Sequence, residues 1–525
     1  MIRWLIVAGV WAAGLAAAAL AISIGAGWWV PALILLALAA VGTRDLTQRR
    51  HSLLRNYPIL GHARFALEKV RPEIQQYFIE SSTDGTPFDR ETRDLVYERA
   101  KGIKDAEPFG TERDVYAPGY EFFTHSLRAR HPDEETPTVR LGGPDCTQPY
   151  DIALLNVSAM SFGSLSANAI EALNAGAAHG GFAHDTGEGG ISPYHRKRGG
   201  DLIWEIGSGY FGCRTAEGGF DPDAFAAKAV DGQVKAISIK LSQGAKPGHG
   251  GVLPGAKVSR EIAETRGVPV GQTVVSPPAH STFDTPEGLI DFIVTLRTLS
   301  GGKPVGFKLC VGSRVEFLGI CKAMIDRGVT PDFIIVDGAE GGTGAAPSEY
   351  EDHMGMPLTE GLMLVHNALV GAGLRDLVKI GASGKVASGS DIVKRIVQGA
   401  DFTLAARAMM FAVGCIQAQS CHTNHCPVGV ATQDPERSRA LDVPDKSARV
   451  HRFQRATVNS AKELVASMGL DGFADLRPAM LNRRIDAHTT RTYAELYEWL
   501  QVGELLDHPP ASWRSDWVDA AADRF

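Results

Sequence analysis

From about residue 151 to residue 408 the chain alternates short, β-branched apolar runs with longer segments of helical pattern, and this alternation limits the possible folds more than any other feature. The candidate strands are "IALLNVSAM" (152–160), "GFAHDTG" (181–187), "AISIKLS" (236–242), "QTVVSP" (272–277), "PVGFKLCV" (304–311), "DFIIVDG" (332–338), "DLVKIGA" (376–382) and "DFTLAARA" (401–408). Helix punctuation fills the gaps. Thr285-Pro286-Glu287 opens one helix that runs to Gly301-Gly302, and Ser313 opens another that ends near Gly328. Thr359 caps a third, and Ser390-Asp391 opens a fourth that ends at Gly399. Strands separated by helices of this size form parallel βαβ units, and eight such units predict an α/β fold of the TIM (β/α)8 barrel type. The rival, a doubly wound open sheet, calls for G-x-G-x-x-G after the first strand, where "MSFGSLS" stands instead.

A barrel puts its chemistry at the C-terminal ends of the strands. Those ends offer Ser158, Met160 and Ser161, then Asp185, Thr186 and Glu188, then Lys240 and Gln243 followed by "GAKPGHGG" with Lys246 and His249. Ser276, Lys308 and Asp337 follow, the last leading into "GAEGGTGAAP" with Gly341 and Gly342. "GASGK", with Ser383, Gly384 and Lys385, and then Arg407 complete the circuit. Backbone N–H groups after the seventh and eighth strands are a frequent phosphate site in such barrels, so three Gly-rich loops on one rim predict a phosphate-bearing cofactor. An ammonium on an inward strand position needs a partner. Lys308 reads either as a cation beside a flavin's N1–C2=O edge or as the mate of a structural carboxylate such as Asp337 or Glu188.

Seven cysteines are an odd number, and four of them are scattered, which does not make a disulfide framework. Cys415, Cys421 and Cys426 are packed together in "GCIQAQSCHTNHCPVGVATQ". In a reducing compartment such a cluster points to metal. The closing Cys-Pro suits an iron–sulfur cluster, and three thiolates without a fourth suit a three-iron cluster. Zinc, with His422 or His425 as fourth ligand, is the rival, although the spacing between the first two cysteines is wide for it. The segment follows the eighth strand directly, which would set a cluster near the rim.

Residues 4–25 carry no charge, and a second apolar run spans 28–41. The first is long enough to cross a bilayer. Arg3 precedes the pair and Arg44, Arg49, Arg50 and Arg55 follow it, so both ends are expected in the cytoplasm, with residues 1–43 as a transmembrane hairpin. A single anchor and a cleaved signal peptide are the alternatives. Residues 44–150 are expected to be a helical lead-in, 151–440 the barrel with its cysteine loop, and 441–525 a helical extension. A net charge of −7 without a Lys/Arg stripe argues against nucleic acid.

"MSFGSLS", "TGEGG", "QGAKPGHGG", "VSPPAH", "DGAEGGTGAAP" and the cysteine segment resemble, in order, the FMN-binding synthase domain of glutamate synthase over roughly residues 150–435. The N-terminal part resembles a stand-alone, membrane-associated bacterial branch of that family. The resemblance implies an oxidoreductase of the class acting on CH-NH2 donors, at the cytoplasmic membrane with its catalytic domain facing the cytoplasm. It implies FMN and a 3Fe-4S cluster as cofactors, and condensation of 2-oxoglutarate with ammonia followed by reduction of the imine. By motif, Cys415, Cys421 and Cys426 would hold the cluster. Glu188 would be an active-site acid and Lys246 would bind a substrate carboxylate. Ser158, Met160, Ser161, Lys240, Ser276, Lys308, Gly341, Gly342, Gly384, Lys385 and Arg407 would surround FMN. Where the family reads "KPGEGGQLPG" this chain has "KPGHGGVLPG", so His249 replaces a Glu and Val252 a Gln that helps to hold 2-oxoglutarate. That departure keeps two further readings open: the same flavin chemistry on another 2-oxo acid, amine or N-substituted glutamate, and an electron-transfer subunit without substrate chemistry. No N-terminal glutaminase pattern and no nicotinamide fingerprint is visible. The expected nitrogen source is therefore free ammonia, an amine or a separate amidotransferase, and the expected electron donor is ferredoxin or a reductase subunit.

Overall fold

The computed structural model describes residues 2–103, 106 and 108–525. Its contacts divide the chain into two compact units, Met1–Gly85 and Thr86–Phe525.

The first unit begins with helices α1 (Ile2–Ser23) and α2 (Trp29–Thr47), which run antiparallel. Small residues let them approach closely. A Cβ on Gly14 would lie 3.0 Å from Leu36 Cδ2, and one on Gly42 would lie 2.9 Å from Val7 Cγ2. Trp11 Nε1 donates to Thr43 Oγ1 across the pair at 2.9 Å. The outward faces leave Trp4, Leu5, Ile6, Leu15, Leu33 and Ile34 exposed. Both helices are long and apolar enough to cross a membrane. Helix α3 (Gly61–Ile74) follows, running on into a π turn, Gln75–Ile79. Buried Asp45 ties its start to the end of α2, pairing with His62 Nε2 at 2.9 Å and accepting from the Ile59 amide at 2.9 Å.

The second unit is built on a closed barrel of eight parallel strands. They are β1 (Leu155–Val157), β2 (His184–Asp185), β3 (Leu202–Ile206), β4 (Val234–Lys240), β5 (Val305–Leu309), β6 (Phe333–Asp337), β7 (Lys379–Ser383) and β8 (Phe402–Ala405). The barrel interior carries Ala183, Ile203, Ala236, Phe333, Ile335, Phe402 and Leu404 in one buried cluster. Leu141 and Ile152 join it from an antiparallel hairpin, Thr138–Leu141 with Tyr150–Ala153, and close the N-terminal end. Outside, helices bury the alternate faces, as where Trp204 stacks on Phe225 with ring centroids 5.1 Å apart. The 25-residue helix Val443–Ser467 packs on helix Ala167–Gly180, where a Cβ on Gly176 would meet Val450 Cγ1 at 2.6 Å.

The barrel is the expected fold, but one strand of the expected eight is not in it. The third strand is "LIWEI", an apolar run that Glu205 interrupts and that is absent from the expected eight. The run at 272–277 instead contributes Val274–Val275 to a small antiparallel pair with Val252–Leu253, outside the barrel. Ser276 therefore stands at the end of that pair and at no barrel strand end. Thr285 and Ser313 cap the helices expected of them, whereas the fourth helix is capped by Ser388 with Asp391 in a capping box. The flanks carry strand as well as helix: Glu121–Phe123 pairs with Leu481–Arg484, which pairs with Thr490–Thr492. These segments are too short for a period-2 pattern to stand out.

Trp204 is buried, so Trp204→Ala should cost about 3–5 kcal/mol and lower Tm clearly, while Trp204→Phe, which keeps the stack on Phe225, should cost far less. Thermal melts by circular dichroism check this. Equal melts for the two variants would contradict the packing described.

Candidate active site

Alternation along the strands carries the interior face from Ala183 to Asp185, from Ile203 to Glu205 and from Ile335 to Asp337. The apolar interior thus gives way to a charged layer beneath the C-terminal rim. Lys308 sits in this layer with its Nζ 3.7 Å from Glu205 Oε2 and 3.9 Å from Asp337 Oδ2. All four groups are buried. Burial opposes the Lys308 charge, but Asp337, Glu205 and Asp185 outweigh it and hold the ammonium above its ordinary pKa. Burial and the neighbouring Glu205 push the Asp185 carboxyl well above the carboxylate range, against the pull of Lys308. Asp185 Oδ2 and Glu205 Oε2 make no hydrogen bond among the described residues. Ser158 and Ser383 complete the layer, their hydroxyls 3.1 Å apart.

Above this floor stands Glu188. Its Oε1 is 3.2 Å from Lys240 Nζ, which also donates to Gln243 Oε1 at 2.7 Å. Burial disfavours the Glu188 charge, yet Lys240, Arg266 and Lys246 together hold the carboxyl below its usual value. Bare backbone makes room for it: a Cβ on Gly251 would fall 2.1 Å from Glu188 Oε1. Lys246 is buried and donates to the Ala345 carbonyl at 3.0 Å, and burial together with Lys240 depresses its pKa. His249 turns its ring edge to Tyr350 at 5.2 Å, and Val252 is paired with Val275 in the hairpin.

The far side of the rim, at the ends of β6, β7 and β8, is cationic. Arg407 Nη2 donates to the Glu340 carbonyl at 2.6 Å, and its guanidinium lies 4.9 Å over the Phe88 ring. Lys385, in the left-handed region at φ 50°, has its pKa lowered by burial and by Arg407. Gly342 lies against Arg407, where a Cβ would approach Cδ to 2.8 Å. Two neighbouring cations beside bare glycine backbone fit an anionic group such as a phosphate.

The cysteine loop leaves the barrel after helix Arg407–Ala412, which follows β8. Gln417, Gln419 and Asn424 are all left-handed, which folds the loop tightly. Burial and the proximity of Cys421 and Cys426 push the Cys415 thiol up to about 12, while the Gln417 amide, 3.5 Å from its sulfur, opposes them. The three thiols thus sense one another, although no set of three such ligands is gathered for an ion among the described residues. His422 and His425 are exposed. Buried Lys257 lies beside the loop, its Nζ donating to the carbonyls of Cys421 (2.8 Å), Ala431 (3.2 Å) and Ser164 (3.3 Å). Its ammonium also lies within electrostatic range of the Cys421 and Cys426 thiols.

The expected residues fall into three groups. Glu188, Lys240 and Lys246 meet at the rim over Lys308, Ser158 and Ser383. Gly341, Gly342, Gly384, Lys385 and Arg407 line the cationic side. Met160 and Ser161 form the loop after β1, where Ser161 Oγ accepts from Arg266 Nη2 at 3.1 Å. Ser276 ends the small hairpin outside the barrel, its amide donating at 2.8 Å to the carbonyl of Gly251, the glycine that packs against Glu188. Sequence reasoning missed Glu205, Arg266 and Lys257. A lone charge inside an apolar run was the available signal for Glu205; nothing local marks the other two.

Residues 137–471 match the sequence profile described as the conserved region in glutamate synthase. The chain is 37% identical over 481 residues to the glutamate synthase large subunit-like protein YerD of Bacillus subtilis (strain 168), covering 84% of this chain and 91% of that one. It is 35% identical over 321 residues to the archaeal-type glutamate synthase [NADPH] of Thermotoga neapolitana, covering 61% of this chain and 60% of that one. Among solved structures, a mandelate oxidase variant with a monooxide FMN adduct aligns over 82% of this chain and 99% of its own, at 15% identity and a TM-score of 0.41.

Folded Asp185 binds its proton more tightly than the unfolded chain, in which an aspartate titrates near about 4. The stability tied to that proton is full below about pH 4 and is lost as pH rises through the folded value. Asp185→Asn should therefore flatten the fall in Tm as pH rises above about 4. An unchanged slope would contradict the assignment.

Proposed function

From the premise that this chain belongs to the glutamate synthase family, we propose that it is an FMN- and iron–sulfur-dependent oxidoreductase that aminates a 2-oxo acid, with 2-oxoglutarate and ammonia as substrates. The observation that carries the reading is the Glu188–Lys240 pair with Lys246 beside it, held over a buried ammonium at the rim of the barrel. Lys385, Arg407, Gly341, Gly342 and Gly384 would hold the phosphate of FMN, and Lys308 would supply positive charge from the floor. When bound, FMN supplies the hydride that reduces an imine. Cys415, Cys421 and Cys426 would hold a three-iron cluster that accepts single electrons from ferredoxin or a reductase subunit.

The protein's own groups supply the rest. Lys246, buried in the site, would pair with a substrate carboxylate. Lys240, Arg266 and Lys246 keep the Glu188 pKa low, and this carboxylate would take a proton from the attacking amine and return one to the departing water. The glycine backbone at 251 packs against that carboxylate and limits water there. In this reading α1 and α2 anchor the protein in the cytoplasmic membrane, with the barrel facing the cytoplasm. Val252 supports a second reading, the same chemistry on another 2-oxo acid or amine, because its side chain offers no hydrogen bond to a distal carboxylate.

Steady-state assays over a panel of 2-oxo acids, with ammonium and a chemical reductant, separate the readings. Glu188→Gln should lower kcat by roughly 10²- to 10⁴-fold. Lys246→Ala should act mainly on KM, raising it about tenfold or more. Turnover of another acid but not 2-oxoglutarate would establish the second reading. No turnover of any acid, beside a flavin that is still reduced, would leave an electron carrier without substrate chemistry. Cys421→Ser should lose iron and turnover with ferredoxin while keeping flavin absorbance, and full iron content in that variant would contradict the cluster assignment.

A further inference from the structure

Helix α3 presents an apolar stripe with nothing packed on it among the described residues. Ala63, Leu67, Val70 and Ile74 recur at helical spacing on one face, and every residue from 62 to 75 is exposed. The π turn adds Tyr77, Phe78 and Ile79, exposed to 57%, 85% and 62%. A contiguous apolar patch of this kind marks a surface that meets something other than water. Its borders are cationic: Arg64 and Arg71 each follow a stripe residue, and Lys69 precedes Val70. From residue 44 to residue 73 there are seven Arg and Lys against three Asp and Glu, in a chain whose net charge is −7. Two of the three acids are already engaged, Asp45 with His62 at 2.9 Å and Glu68 with Arg64 at 3.0 Å. The segment starts where the apolar hairpin ends, so it lies at the boundary of whatever that hairpin occupies.

We propose that residues 44–79 form a belt that lies on the bilayer surface and binds anionic lipid headgroups. The stripe and Tyr77–Ile79 turn toward the acyl boundary while Arg49, Arg50, Arg55, Arg64, Lys69 and Arg71 meet the headgroups. This rests on the reading of α1 and α2 as membrane spans. The spacing of the stripe also suits pairing with a second copy of α3. The density of like charge beside it opposes that pairing, and the aromatic pair Tyr77-Phe78 suits a lipid interface better.

Hydrogen exchange read by mass spectrometry tests this on the full-length protein in nanodiscs of phosphatidylcholine, with and without phosphatidylglycerol. Amides of α1 and α2 are expected to be protected in both. Amides of residues 62–79 are expected to exchange about tenfold more slowly with phosphatidylglycerol present. Arg64→Glu, Lys69→Glu and Arg71→Glu together should abolish that difference while leaving α1 and α2 protected. Rapid exchange in α1 and α2 would overturn the membrane reading itself. Protected spans with equal exchange of 62–79 in both lipids would overturn the belt alone. Protection that follows the number of protein copies per disc would assign the stripe to a second copy and overturn the belt as well.

Discussion

The site depends on keeping one ammonium charged in the middle of a barrel. Lys308 is surrounded at Coulombic range by Glu205, Asp337 and Asp185, and these carboxylates outweigh the cost of removing its charge from water. Three ionised acids around one base would leave an uncompensated negative charge in a dry interior. Burial and the neighbouring Glu205 raise the Asp185 pKa, which lessens that excess. Moving any member of this floor would strand the others. The rim residues take their positions from it: β4 ends in Lys240, which holds Glu188 ionised, and β6 ends in Asp337, which accepts from the Gly244 amide at 2.8 Å.

Much of this is legible in the sequence, for a physical reason. Parallel strands buried on both faces read as apolar runs, and a charged residue at the end of such a run stands out, as Lys240, Lys308 and Asp337 do. The cysteine spacing and the glycine-rich loops are equally local signals. The misplaced strand shows the limit. Glu205 sits inside "LIWEI", and a carboxylate in a core strand is acceptable only because Lys308 reaches it from β5, a contact between residues 103 positions apart that no local pattern encodes. Arg266 and Lys257 are hidden for the same reason: each makes its contacts with loops far away in the chain, Arg266 with Ser161 and Lys257 with Cys421.

Lys257 joins the loop after β1 to the cysteine loop through carbonyls of both, so a cluster held there would be mechanically tied to the rim it serves. Tyr97 adds a further tie, its hydroxyl donating to the Cys415 carbonyl at 2.7 Å. Glu188 lies against Gly251, in the segment that carries His249 and Val252, the two positions at which the chain departs from the family pattern. The family thus accounts for the flavin chemistry proposed here, and those two side chains bear on what the chemistry acts upon.

The central claim is that a reduced flavin in this barrel passes its electrons to an imine formed from a 2-oxo acid and ammonia. The most direct measurement is anaerobic: the detergent-purified protein is reduced until its flavin absorbance is bleached, then mixed with 2-oxoglutarate, with ammonium, and with both. Rapid return of the absorbance only when both are present is the predicted result. A flavin that stays bleached with both, or that reoxidises as fast with either alone, would contradict the account.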